Sequence, residues 1–107
     1  MATRRDKIEQ MLVDDPNDTF LRYSLAMELD KEGDHERSLV EFAALMTSAT
    51  PYVPAFFMTA QQLARLNRID EARVALRDGI ERARTTGDTH AAGEMSELLA
   101  SLGGPGE

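Results

Sequence analysis

Two histidines, a knot of aspartates and a run of arginines are the residues of this 107-residue chain whose types could do chemistry. Structural zinc needs Cys, His or carboxylate ligands at set spacings. The chain has no cysteine, and His35 and His90 form no His-x3-His pair. Each histidine stands near the expected start of a helix, where a packing role outweighs a catalytic one. Asp14, Asp15 and Asp18 cluster around Pro16. A calcium loop would need a longer ligand ladder ending in a bidentate Glu. These aspartates therefore read as a helix-capping loop. No Gly-rich phosphate loop and no nucleophile elbow occurs. No catalytic, cofactor-binding or metal-binding residue is expected, and an enzyme ranks third among the readings below.

Arg65, Arg68, Arg73, Arg77, Arg82 and Arg84 gather in one stretch, but Asp70, Glu71, Asp78 and Glu81 lie among them at helical spacings. That pattern is a solvated face with local ion pairs. The formal net charge is −7. Binding led by phosphate contacts needs a basic surface, so nucleic acid is not an expected partner. No run is apolar for long enough to span a bilayer. Arg4, Arg5 and Lys7 precede Glu9, Gln10, Asp14 and Asp15 rather than the apolar core of a signal peptide,. The expected partner is thus not a membrane, and the expected setting is cytoplasmic.

Helices must position all of these residues. Apolar residues recur with helical period, and no run alternates as a strand would. Breaks fall at Asp14–Asn17, Glu32–Asp34, Thr50–Pro51, Asn67–Arg68 and Thr86–Asp88, each rich in residues that end or cap helices,. Helices are expected at about 3–13, 18–32, 35–48, 53–66, 69–85 and 89–102, with a flexible tail at 103–107,.

The chain also repeats itself at a step of 34 residues. Ala26 and Ala60, Leu29 and Leu63, Gly33 and Asn67, Ser38 and Ala72, Phe42 and Leu76, and Met46 and Ile80 are all related by it. The same step backwards joins Phe42 to Ile8, Leu45 to Met11 and Met46 to Leu12. Small, large and turn residues share the period, which amphipathicity alone does not require. Each unit reads as two antiparallel helices. Ala26 and Ala60 permit close approach, Gly33 and Asn67 end the first helix in the left-handed conformation, and Ser38 and Ala72 are small at the crossing. One pair cannot cover its own apolar face, so neighbours must stack.

These residues resemble the tetratricopeptide repeat, with its pattern W-x2-L-G-x2-Y…A-x3-F…P at the same period. Leu25-Ala26, Leu29, Ser38 and Phe42 match one copy, and Thr59-Ala60, Leu63, Ala72 and Leu76 match a second. Pro16 stands one period before Thr50, at the closing Pro position, and Pro51 is a residue later. Arg22 and Phe56 replace the Trp, Thr59 replaces the Leu, and Leu45 stands at a position that is usually small. The resemblance implies an all-α fold of antiparallel helix-turn-helix repeats stacked as a short right-handed solenoid. It gives a single domain over 1–102, with full repeats at about 17–50 and 51–85 and capping helices at about 3–13 and 89–102. In the last helix a strict step would bury Glu94 and Glu97. A slip of at least one residue at Thr85–Asp88 is expected, placing Ala91, Met95, Leu98, Leu99 and Leu102 on the buried stripe. Met11, Met27, Met46, Met58 and Met95 are expected mostly to fill core.

In this family the first helix of each pair lines a concave groove. On that implication Phe20, Tyr23, Met27, Asp30 and Lys31 form one rung, and Pro54, Phe57, Gln61, Ala64 and Arg65 the next. Tyr23, Met27, Phe57 and Gln61 are not the Lys and Asn that grip chaperone carboxylates, so a hydrophobic or mixed peptide is the expected ligand. The leading reading is an adaptor that binds a peptide or helix of another protein. The alternative is a self-associating structural protein, since two full repeats are fewer than the three or so that stability usually requires.

Overall fold

Three turns of one design organise the chain. In the first, the Gly33 N–H donates to the Asp30 carbonyl at 3.0 Å and the Asp34 N–H to the Leu29 carbonyl at 2.9 Å. Asn67 and Arg68 repeat this with Ala64 and Leu63, and Gly87 and Asp88 with Arg84 and Ala83. This is the Schellman closure, which needs a left-handed residue. Gly33 (φ 87°), Asn67 (φ 61°) and Gly87 (φ 79°) supply it. Each turn ends one helix and starts the next within three residues, which folds the two helices back to back.

The computed structural model describes residues 2–103. The rest of the expected tail, residues 104–107, lies outside them. Within them are six helices and no strand: α1 (Arg4–Asp14), α2 (Thr19–Lys31), α3 (His35–Met46), α4 (Val53–Arg65), α5 (Ile69–Thr85) and α6 (Thr89–Leu102). The fold is all-α with repeated helix pairs, and every expected helix is found within two residues of its expected ends. The chain divides into two compact units, one up to Tyr52 and the other from Val53.

In the first unit, α2 packs on α1 and on α3. Ile8, Leu25 and Leu29 form a buried cluster, with Leu12 packed against it. Ser38 is fully buried, and its hydroxyl donates to the Ala26 carbonyl at 2.6 Å. The small residues at the crossing are thus joined as well as close. Thr3 and Asp6 close α1 with a reciprocal capping box, and that bonding holds the Asp6 carboxyl below its ordinary pKa,. Asp18 caps α2, accepting from the Leu21 N–H at 2.9 Å.

In the second unit, α5 packs on α4 and on α6. Gly79 lies where these helices approach most tightly. A Cβ there would sit 2.6 Å from both the Phe56 Cβ and the Met95 sulfur. Only a bare backbone fits. Ala60, Ala72, Leu76 and Ala83 are fully buried around this approach.

The final helix departs from the strict 34-residue step by two residues. Its start lies 36 residues after that of α4, against 34 between α2 and α4. Met95 therefore shares a position with Leu25 and Thr59, and all three are buried. The turn at Thr86–Asp88 does not absorb the slip. α5 runs 17 residues where α3 runs 12, and the connection after it is short. Ala92 is buried in place of Ala91, while Leu98, Leu99 and Leu102 are half-buried. The methionines also differ from expectation. Among the described methionines only Met95 is fully enclosed; Met27, Met46 and Met58 are half-buried and Met11 is exposed.

Candidate functional site

The outward face of α2 follows from its core. Leu25, Ala26 and Leu29 bury one side. At 100° per residue, Phe20, Met27 and Lys31 then point the opposite way, with Tyr23 and Asp30 on the flank. Phe20 is 67% exposed, a large ring in water at the first turn. Met27 is half-buried beyond it. The Lys31 amino group lies 3.6 Å from Glu28, which also receives Arg4 at 2.8 Å.

Tyr23 is half-buried, not displayed. Its ring meets Phe42 edge-on at 5.9 Å and Tyr52 edge-on at 5.2 Å. Burial, and next the neighbouring Tyr52, push its hydroxyl pKa above the ordinary value,. Tyr52 was absent from the residues singled out by sequence. It lies in the connection after α3, held by its N–H donating to the Leu45 carbonyl at 3.0 Å, and loop residues carry no periodic signal. Asp30 is also engaged: its carboxylate pairs with His35 Nδ1 at 2.8 Å across the Gly33 turn. Glu32 and His35 do stand at Glu-x-x-His spacing, but the turn between them breaks the helix and Glu32 pairs with Arg5 at 3.5 Å. Among the described residues no group of three or more His, Cys, Asp or Glu is placed to hold a metal.

On α4, Ala55, Phe56, Thr59, Ala60, Gln62 and Leu63 are buried. Phe57, Gln61 and Ala64 are half-buried on the other side, and Pro54 and Arg65 are exposed. The aromatic at 57 and the cation at 65 thus repeat Tyr23 and Lys31, one period on. By its own register α6 places Gly93 where Tyr23 and Phe57 stand, so it has no anchor there. At the start of α5, Arg68 pairs with Glu71 at 2.6 Å and Arg73 with Asp70 at 3.0 Å, and Arg73 also donates to the Leu102 carbonyl at 2.6 Å. Arg68 draws the Glu71 carboxyl below its ordinary pKa. No helix among the described residues is long and apolar enough to cross a membrane.

Repeated helix pairs, closed by the same turn and crossing at small residues, define a helical-repeat protein of a class generally used for protein–protein interaction. The solved structures narrow this. A tetratricopeptide repeat domain protein from Salinibacter ruber, determined in solution, is 32% identical with a TM-score of 0.78, over 85% of this chain and 92% of that one. A crystal structure of a tetratricopeptide repeat domain protein from the same organism gives 30% identity and a TM-score of 0.71, over 79% and 96%. The chain belongs to the tetratricopeptide repeat family. A protein from Bordetella parapertussis shares the fold, with a TM-score of 0.78 over 95% of this chain and 89% of that one at 24% identity. No protein-family model matches the chain, and neither does any curated protein.

Proposed function

We propose that the chain is a protein-binding adaptor in which the first-helix face of each unit offers a surface to another protein. The observation that carries this reading is Phe20, 67% exposed on the outward face of α2 beside Met27. An exposed ring beside a flexible thioether is the composition of a binding anchor. Phe57, Gln61, Ala64 and Arg65 supply the corresponding face of α4. Asp30 serves the turn through His35, and Tyr23, on the flank of the face, packs against Phe42 and Tyr52. No catalytic role is proposed.

The test is retention of proteins from a lysate of the native source by the immobilised chain and by Phe20→Ser. Phe20 is the cleaner probe, because truncating Tyr23 would also disrupt its contacts with Phe42 and Tyr52. A protein kept by the native chain and lost by the folded variant supports the adaptor. Equal retention by both removes Phe20 from the binding face. The alternative, self-association through α6, draws on the half-buried Leu98, Leu99 and Leu102. A molar mass that stays monomeric across a wide concentration range disposes of it.

A further inference from the structure

We propose that α1 and α6 are the two halves of one further repeat, and that α6 of one copy pairs with α1 of a second copy. This develops the self-association reading by giving α6 a defined partner, and it leaves the adaptor face untouched. In the 34-residue register α1 is a second helix: Ile8 stands with Phe42 and Leu76, and all three are buried. α6 is a first helix, with Met95 buried where Leu25 and Thr59 are buried. Among the described helices α1 packs on α2 and has no first helix of its own. α6 packs on α5, with a smaller contact to α4, and has no second helix.

The residues that a paired helix covers elsewhere are open on these two. In α3, Ser38 bonds to Ala26, Glu41 pairs with Arg22, and Leu45 is buried. In α5, Ala72, Ala75 and Gly79 are buried at the same three positions. In α1 those positions hold Arg4, Lys7 and Met11, and all three are exposed. In α6, Ser96 and Leu99 are half-buried. Their counterparts Ala26, Ala60, Leu29 and Leu63 are buried. Gly93 is exposed where Tyr23 and Phe57 are half-buried.

The two open faces fit each other in size and charge. Within each inner pair the first helix is bulky, at Tyr23 and Phe57, and the second is small, at Ser38 and Ala72. Here α6 is small at Gly93 and Ser96, and α1 is long at Arg4 and Lys7. Dense packing needs the volume and not a particular side of origin. α6 contains Glu94 and Glu97 and no Lys or Arg. Arg4 pairs with Glu28 and still keeps 73% of its side chain exposed, and Lys7 is exposed on the same face. The contact continues the pairing already made between α2 and α3 and between α4 and α5,. Charged residues on an end face also serve as a solubilising cap, and the experiment separates the two roles.

Two different patches meet in such a contact, so growth continues past two copies unless a ring closes. Light scattering of the native chain should give a molar mass that rises with concentration. Met11→Lys obstructs the α1 face and Gly93→Arg the α6 face. A Cβ at Gly93 meets nothing within 4 Å, and Arg favours a helix more than Gly does, so that variant keeps its fold. Each variant by itself should stay monomeric. Their equimolar mixture should form a one-to-one dimer of twice the chain mass and nothing larger, because one intact face of each kind remains. A native chain that stays monomeric overturns the proposal. So does a folded Met11→Lys that assembles as the native chain does, a result that assigns the contact to α6 meeting α6. A mixture that stays monomeric while the native chain assembles also overturns it. None of these outcomes bears on Phe20, so the adaptor reading stands or falls by its own test.

Discussion

The two units fill the same repeat positions with opposite choices of size. In the first, Arg22 and Leu45 occupy positions that Phe56 and Gly79 occupy in the second. Arg22 turns to the surface, where its Nε donates to the Pro16 carbonyl at 2.6 Å and its guanidinium lies 3.5 Å from Glu41. The bulk inside comes from Leu45, which is 5% exposed. In the second unit Phe56 goes inside and Gly79 yields the space. Neither position tolerates its counterpart's residue on its own, because interiors are packed to crystal-like density. A degenerate repeat can thus lose its signature Trp twice and keep the fold, provided that volume is conserved within each unit.

The largest expected effect comes from cutting the first unit's bulk. Leu45→Ala leaves a cavity with no Phe56 counterpart to fill it, and should cost about 2–5 kcal/mol. Urea unfolding of the variant measures this. A loss under 1 kcal/mol would mean that Arg22 or Tyr52 can swing in, and that the exchange of sizes is not obligatory.

In the second unit the sign is reversed. Gly79→Ala adds a methyl group 2.6 Å from the Phe56 Cβ, which is fixed to the backbone and cannot rotate away. Overpacking of about 1–3 kcal/mol should exceed the roughly 1 kcal/mol that Ala ordinarily gains over Gly in a helix. A more stable Gly79→Ala would show that α4 and α5 separate easily, and would remove the contrast between the units.

What was legible in the sequence divides along similar lines. Gly33, Asn67, Ser38 and Ala72 announced the turns and crossings, because backbone conformation and close approach restrict residue type sharply. The rungs of the candidate face were legible as positions through the same period. Their exposure was not. Tyr23 and Phe20 look alike in sequence, but Tyr52, from a loop without periodicity, covers one of them and leaves the other open. The displacement of α6 was seen as a broken register and not as two residues added before it. A longer helix and a longer turn cost the same in sequence, and only packing decides between them.

A third contrast is polar. Leu25 in the first unit corresponds to Thr59 in the second, and both are buried. The Thr59 hydroxyl is enclosed without a hydrogen-bond partner. Thr59→Val keeps the shape and removes the unpaired group, so the second unit should gain about 1–2 kcal/mol. Thermal unfolding of the variant checks this. A loss would show that the hydroxyl finds an ordered water, which the valine could not replace.

The smallest effect concerns Tyr23, whose position in the second unit is held by Phe57 with no hydroxyl at all. Burial and Tyr52 raise the Tyr23 pKa in the folded state. The folded chain therefore holds the phenolic proton to higher pH than the unfolded chain does. Stability from this group is complete below the ordinary tyrosine pKa of 10.0 and is lost as pH rises through the raised value,. Tyr23→Phe should leave stability near neutrality almost unchanged and flatten its decline above pH 10. A decline as steep in Tyr23→Phe as in the native chain would assign the alkaline loss to other groups. It would also mean that the first unit, like the second, carries its aromatic on this face for its ring alone.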